Sequence, residues 1–99
     1  MFTVSYSDKA KEDIREIVLW YNSQKVGLES DFLSSLEVAI KRINVNPYTY
    51  QIYFRHIRAI ILRRFPYRII YKINDEIIIV IGVFHTSRNP KTILKRTKE

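Results

Sequence analysis

The sequence predicts an α+β protein in the order β-α-α-β-β-β, with an N-terminal helix hairpin packed on a twisted, mainly antiparallel sheet. Two observations carry that prediction. Residues 8–46 hold two stretches whose apolar side chains recur every three or four positions, which is helical spacing. Residues 57–85 hold three runs of alternating or continuous apolar residues joined by short connections, which is the pattern of an antiparallel meander. A length of 99 residues fits one domain spanning 1–99.

Thr3-Val4-Ser5-Tyr6 alternates and reads as a first strand over 1–6. Ser7 is a suitable N-cap, and Asp8 puts negative charge in the first helical turn. Ala10, Ile14, Ile17, Val18 and Tyr21 then form one helical stripe. Trp20 lies beside it and is expected to pack at the helix hairpin, with contact to a second protomer or a target as the other reading. Asp8, Glu12, Asp13 and Glu16 read as dipole and i,i+4 partners rather than a carboxylate dyad. Asn22-Ser23-Gln24 ends the helix, and Gly27 suits the break. Leu28, Phe32, Leu36, Ala39, Ile40 and Ile43 make the second helix, which Asn46-Pro47 terminates.

Tyr48–His56 alternates at Tyr50, Ile52 and Phe54 and is either a strand or a loop. Three strands follow, over Ile57–Arg64, Tyr67–Ile73 and Glu76–Phe84, with connections at Phe65-Pro66 and Asn74-Asp75. The last strand is apolar on both sides, as expected where both faces are covered. Residues 86–99 form a basic tail or a short helix that Asn89-Pro90 would introduce.

Composition narrows the chemistry. With no cysteine there is no disulfide, thiol chemistry or cysteine-held metal, which fits a reducing cytoplasm. No metal site and no cofactor are expected. Met1-Phe2-Thr3-Val4 is followed at once by polar residues, unlike a signal peptide. The longest apolar run, Ile77–Phe84, is far short of the ~20 residues a bilayer span needs. Charge is divided unevenly. Residues 1–50 hold six Lys/Arg against seven Asp/Glu, and residues 51–99 hold eleven against three. A basic half of this kind points to an anionic partner, nucleic acid or an acidic protein segment.

The helix hairpin must bury its stripe on one sheet face. If alternation holds, the opposite face carries Arg58, Arg68 and Lys72 beside Ile60, Leu62 and Ile70. A face that is half apolar and half cationic is a binding surface when left open.

These residues carry a family likeness. Ser7-x-x-Ala10-x-x-Asp13-Ile14-x-x-Ile17 and Phe32-x-x-x-Leu36-x-x-x-Ile40 mark the helices. The Asn46-Pro47 break and Arg58 follow. Phe65-Pro66-Tyr67-Arg68-Ile69-Ile70-Tyr71 and His85-x-x-Arg88 close the pattern. Together they resemble the RelE/ParE superfamily of toxins from type II toxin–antitoxin modules, of the plasmid-stabilisation type. The resemblance covers nearly the whole chain and implies a cognate antitoxin whose extended segment wraps the toxin. The half-apolar, half-cationic face with its adjoining strand edge is where the antitoxin is expected to bind, at Arg58, Ile60, Leu62, Arg68 and Lys72.

Two activities exist in that superfamily. RelE-like members are ribosome-dependent mRNA endonucleases, and ParE-like members poison DNA gyrase. Metal-free RNA cleavage needs a base, an acid and cations around one phosphate. The RelE-like resemblance offers Arg58, Arg68, His85 and Arg88. Yet Ala59 and Ile61 stand where the RelE-like pattern has lysines, Thr86 stands at an arginine place, and no tyrosine follows Tyr71. The chain therefore resembles the ParE-like branch more closely. The expected target is gyrase, with ribosome and mRNA as the alternative, and a basic interaction module without toxin activity as the third reading. Arg68 has a second reading too, as a strand residue that snorkels or pairs with Glu76. His85 reads equally as a hydrogen-bonding surface residue. Arg88, Lys91, Lys95, Arg96 and Lys98 read as a solvated or partner-facing tail.

Overall fold

The computed structural model describes residues 2–98. The elements are β1 (Thr3–Tyr6), α1 (Asp8–Gln24), α2 (Leu28–Val45), β2 (Gln51–Phe54), β3 (Ile57–Ile61), β4 (Tyr67–Asn74), β5 (Ile77–His85) and α3 (Pro90–Thr97). One five-stranded sheet runs in the order β1-β5-β4-β3-β2. Neighbours are antiparallel except β1, which lies parallel to β5. The helix hairpin and the antiparallel β3–β4–β5 meander agree with the sequence prediction. The uncertain segment supplies a short edge strand, β2, and the basic tail supplies α3.

Local chemistry explains the helices. Ser7 Oγ accepts the Ala10 N–H at 3.1 Å, which caps α1, and Ser7 N–H donates to Val80 O. Gly27 takes φ +90° between the helices, a conformation a side chain would strain. Asn89 caps α3 through the Lys91 N–H, and Pro90 occupies its first turn, where no donor is needed.

The hairpin packs on one face of the sheet. Phe32 is fully buried and meets Tyr21, Phe65 and Tyr67, with ring centroids 5.5–5.8 Å from it. Leu36, Ala39 and Ile43 continue that contact against Ile60, Ile69 and Tyr71. Phe65 and Tyr67 stand edge-on to Phe32, and such pairs add about 0.5–1.5 kcal/mol each beyond burial itself. On the other face α3 lays Ile93 over Ile57, Ala59, Ile70 and Phe84. That face was expected to be open. Instead α3 covers its centre and leaves Ile61 and Ile77 at its margins. Among the described residues no helix is long and apolar enough to cross a membrane.

Trp20 corrects its expected place. It is 57% exposed, not packed inside the hairpin, because Ile17 and Tyr21 take the buried side of that turn.

Candidate functional site

The pairing of β3 with β4 decides which residues share a surface. Arg58 faces Tyr71, and Ile61 faces Arg68. An even-numbered residue of β3 therefore shares its side of the sheet with an odd-numbered residue of β4. β3 ends at Ile61, earlier than expected, and residues 62–66 make the connection, with Arg64 at φ +72°. The expected open face mixed two sides. Ile60 and Leu62, 7% and 5% exposed, belong to the core under the helices. Arg58 lies on that same side. Arg68 and Lys72 lie on the opposite one, with Ala59 and Ile70.

Arg58 is engaged in the fold. Its Nη1 donates to Tyr48 O at 3.0 Å and Tyr50 O at 2.8 Å, and the guanidinium stacks on the Tyr48 ring. It holds the connection between α2 and β2. Among the described residues no acid is paired with Arg68. Arg68 lies over the Tyr53 ring at 5.3 Å on the far side of the sheet.

His85 and Arg88 meet at the end of β5. With Tyr67 and Val83 they line a cleft of about 210 Å³, closed on the α1 side by Glu16, Ile17 and Trp20. His85 Nδ1 accepts the Ser87 N–H at 3.0 Å, and its ring stands edge-on to Tyr67. An accepting Nδ1 leaves the neutral ring's proton on Nε2, so that nitrogen is a donor rather than a base. Exposed Trp20 completes this cleft, which sequence reading missed because its first reading packed Trp20 at the hairpin.

A second missed feature lies beside it. Asp13 of α1 and Arg96 of α3 form a forked ion pair, with Oδ2 to Nη1 at 2.8 Å and Oδ1 to Nη2 at 3.2 Å. Asp13 Oδ2 also accepts the Val83 N–H at 3.0 Å, and Arg96 Nη1 reaches Ile81 O at 3.2 Å. Arg96 stacks on Phe84 as well, at 4.7 Å. Neither residue is the solvated surface charge expected for it. A signal existed: Asp13 falls on the buried stripe, three residues after Ala10 and four before Ile17. Gly82 makes the arrangement possible. A Cβ there would meet the Phe84 ring at 2.6 Å and Arg96 Nη1 at 3.0 Å.

Three tyrosines titrate abnormally, and burial is the cause that raises Tyr6 and the largest cause for Tyr67 and Tyr71. Burial, aided by a hydrogen bond and proximity to Tyr21, pushes Tyr67 up to about 12. Burial also pushes Tyr71 up to about 12, with Arg58 opposing the shift and Tyr50 adding to it. Both hydroxyls are held neutral. Tyr71 donates to Pro47 O at 2.6 Å. Among the described residues no cluster of His, Cys, Asp or Glu could hold a metal.

Comparison with known proteins fixes the family. The model for the ParE toxin of the parDE type II toxin–antitoxin system matches residues 4–90. The chain belongs to the ParE toxin family. Toxin ParE2 of Mycobacterium tuberculosis is 34% identical over 58 residues, which is 59% of this chain and 55% of that protein. The chain thus spans about half the length of the curated relatives it matches. In fold, this ParE-family chain is similar to a chain of the chromosomal ParDE system from P. aeruginosa. The TM-score is 0.73 at 14% identity, covering 86% of this chain and 96% of that one. It is also similar to a chain of the intact E. coli RelBE toxin–antitoxin complex, with a TM-score of 0.65 at 20% identity, covering 89% of this chain and all of that one.

Proposed function

We propose that this chain is a toxin that acts by binding a large target, DNA gyrase, and holding its cleaved-DNA state, until a cognate antitoxin neutralises it. It would work in the cytoplasm, where gyrase is. One observation carries the choice of binding over RNA cleavage. Arg58 and Arg68 sit on opposite sides of one sheet, and Arg58 is already occupied by two backbone carbonyls. A metal-free nuclease needs its acid, base and cations within reach of a single phosphate. Divided in this way, the four candidate groups do not surround one.

The experiment offers purified chain to gyrase with supercoiled plasmid, and separately to translating ribosomes with mRNA. Cleaved plasmid complexes without mRNA cuts are expected. The second reading, a ribosome-dependent endoribonuclease, rests on the shared cleft of His85 and Arg88. Codon-positioned mRNA cuts that vanish in Arg88→Ala would replace the first reading with it. Absence of both activities would leave a basic interaction module.

The antitoxin belongs to the same proposal. Support comes from the ParE family itself and from the likeness to a chain of the E. coli RelBE complex.

A further inference from the structure

The cleft at the end of β5 gathers Trp20, Glu16, His85 and Arg88, whose polar groups the fold leaves largely unused. His85 faces Tyr67 across the β4–β5 pairing, and so sits on the helix-hairpin side of the sheet. Arg68 and Lys72 lie on the other side. Trp20 is the single tryptophan of the chain and is mostly exposed. It follows Glu16 by one helical turn, so the two are neighbours on the surface of α1. Asp13 also lines the cleft, but its carboxylate is taken by Arg96 and the Val83 N–H. Among the described residues neither an ion pair nor a side-chain hydrogen bond engages Glu16 or Arg88, and none joins them across the cleft. Arg88 lies over the Phe84 ring at 5.6 Å, a contact that orients the guanidinium by its face and leaves its in-plane N–H donors free. His85 uses Nδ1 on Ser87 and keeps its Nε2–H to give.

We infer that this cleft binds a free guanine nucleotide, with its base on Trp20 and its phosphate at His85 and Arg88. An anion and a cation that line one cleft without meeting match the two ends of such an occupant. The indole face stacks on a planar base. The Glu16 carboxylate accepts two parallel hydrogen bonds, and guanine is the base whose edge offers two adjacent donors, a ring N–H and an amino group. The phosphate takes the paired donors of Arg88 and the Nε2–H of His85. At about 210 Å³ the cleft is smaller than the ~300 Å³ or more of a typical small-molecule pocket, so it holds one nucleotide and leaves the sugar in solvent. Glu16 also repels the further phosphates that a continuing strand would bring, which favours a free nucleotide over nucleic acid. The site adds to the function proposed above, and the same binding is expected whatever target the chain engages.

Trp20 reports its own occupant. GMP titrated into the intact chain should quench the fluorescence of the single tryptophan and shift the NMR signals of its indole N–H and of the His85 ring. AMP should bind about tenfold more weakly, because its edge leaves Glu16 short of a donor. Guanosine, which lacks the phosphate, should also bind about tenfold more weakly. Glu16→Ala should erase the preference for GMP over AMP. Arg88→Ala should weaken GMP about tenfold and leave guanosine unchanged. Glu16 and Arg88 are both exposed, so both variants should keep the fold, which a circular-dichroism melt checks. No quenching by GMP, equal affinity of the wild type for GMP and AMP, or unchanged GMP affinity in both variants would overturn the inference. So would a short guanine-containing single strand that binds about tenfold more tightly than GMP, since it would give the cleft to nucleic acid instead.

Discussion

β5 and β3 each run past the strand that flanks them, and the chain treats the two exposed edges in opposite ways. β1 leaves β5 at Val80, opposite Tyr6. From there the edge is closed by side chains: Ser7 Oγ and Arg96 reach Ile81 O, and Asp13 receives the Val83 N–H. β2 leaves β3 at Ala59, and among the described residues no strand pairs with the Ile61 edge beyond it. Open edges invite pairing with other chains, so a protein normally blunts them. Here one edge is blunted by an ion pair that joins helices on both faces of the sheet. The other runs beside a notch lined by Arg42, Arg63 and Arg64. The first edge is tied into the fold by these bonds, and at Ile61 the second carries no such tie among the described residues.

The largest test of that contrast removes the clamp. Asp13→Ala strips Val83 of its acceptor and leaves Arg96 partly buried without its carboxylate. Breaking such a pair costs about 2–4 kcal/mol, reduced from the fully buried case because both side chains keep some contact with water. Arg63→Ala at the open edge should change stability by less than ~0.5 kcal/mol. Urea unfolding measures both, and equal costs would erase the distinction between the edges. Next is Gly82→Ala, which drives a methyl into the Phe84 ring and Arg96. It should destabilise by about 1–3 kcal/mol and mobilise α3 before the rest of the fold unfolds. A circular-dichroism melt combined with exchange rates across 90–97 reads this.

Tyr71→Phe sharpens the other edge. The Tyr71 hydroxyl fixes Pro47, and so where the chain sets out towards β2. Its loss should cost about 1–2 kcal/mol by urea unfolding, since a buried carbonyl loses its donor. Smaller still is the difference in native hydrogen exchange. The Val83 amide should exchange far more slowly than that of Ile61, although both lie at strand margins. Comparable rates would falsify the claim that side chains close the β5 edge.

Alkaline titration addresses the core beneath both edges. Tyr67 and Tyr71 bind their protons more tightly folded than unfolded, with values near 12 against 10. Their contribution is fully present below pH ~10 and is lost as pH rises towards ~12. Tyr71→Phe should flatten part of that decline, which urea midpoints across the interval would reveal.

Much of the architecture was legible residue by residue. Ser7, Gly27 and Asn46-Pro47 mark helix ends because capping and chain-breaking are local chemistry. The stripe from Ala10 to Tyr21 and the run of Phe32, Leu36, Ala39 and Ile43 show which sides the helices bury. The candidate site was less legible. Arg58 and Arg68 look alike in sequence, each a cation within an apolar strand. One holds the chain leading to β2 and the other lies across the sheet over Tyr53. Asp13 and Arg96 stand far apart in the chain, and no local rule joins them.

The sequence alone determined the helix hairpin, the strands of the meander and the excess of positive charge in the second half. Those follow from periodicity, capping and composition, which act over a few residues at a time. Tertiary structure decided which side of the sheet each cation occupies and which strand edge is closed. Both depend on strand register, and register is set by the length and shape of the connecting loops and by contacts between residues remote in the chain. A shift of one residue in the pairing of β3 with β4 would exchange the sides of Arg58 and Ile61, and no count of apolar residues along a single strand detects it.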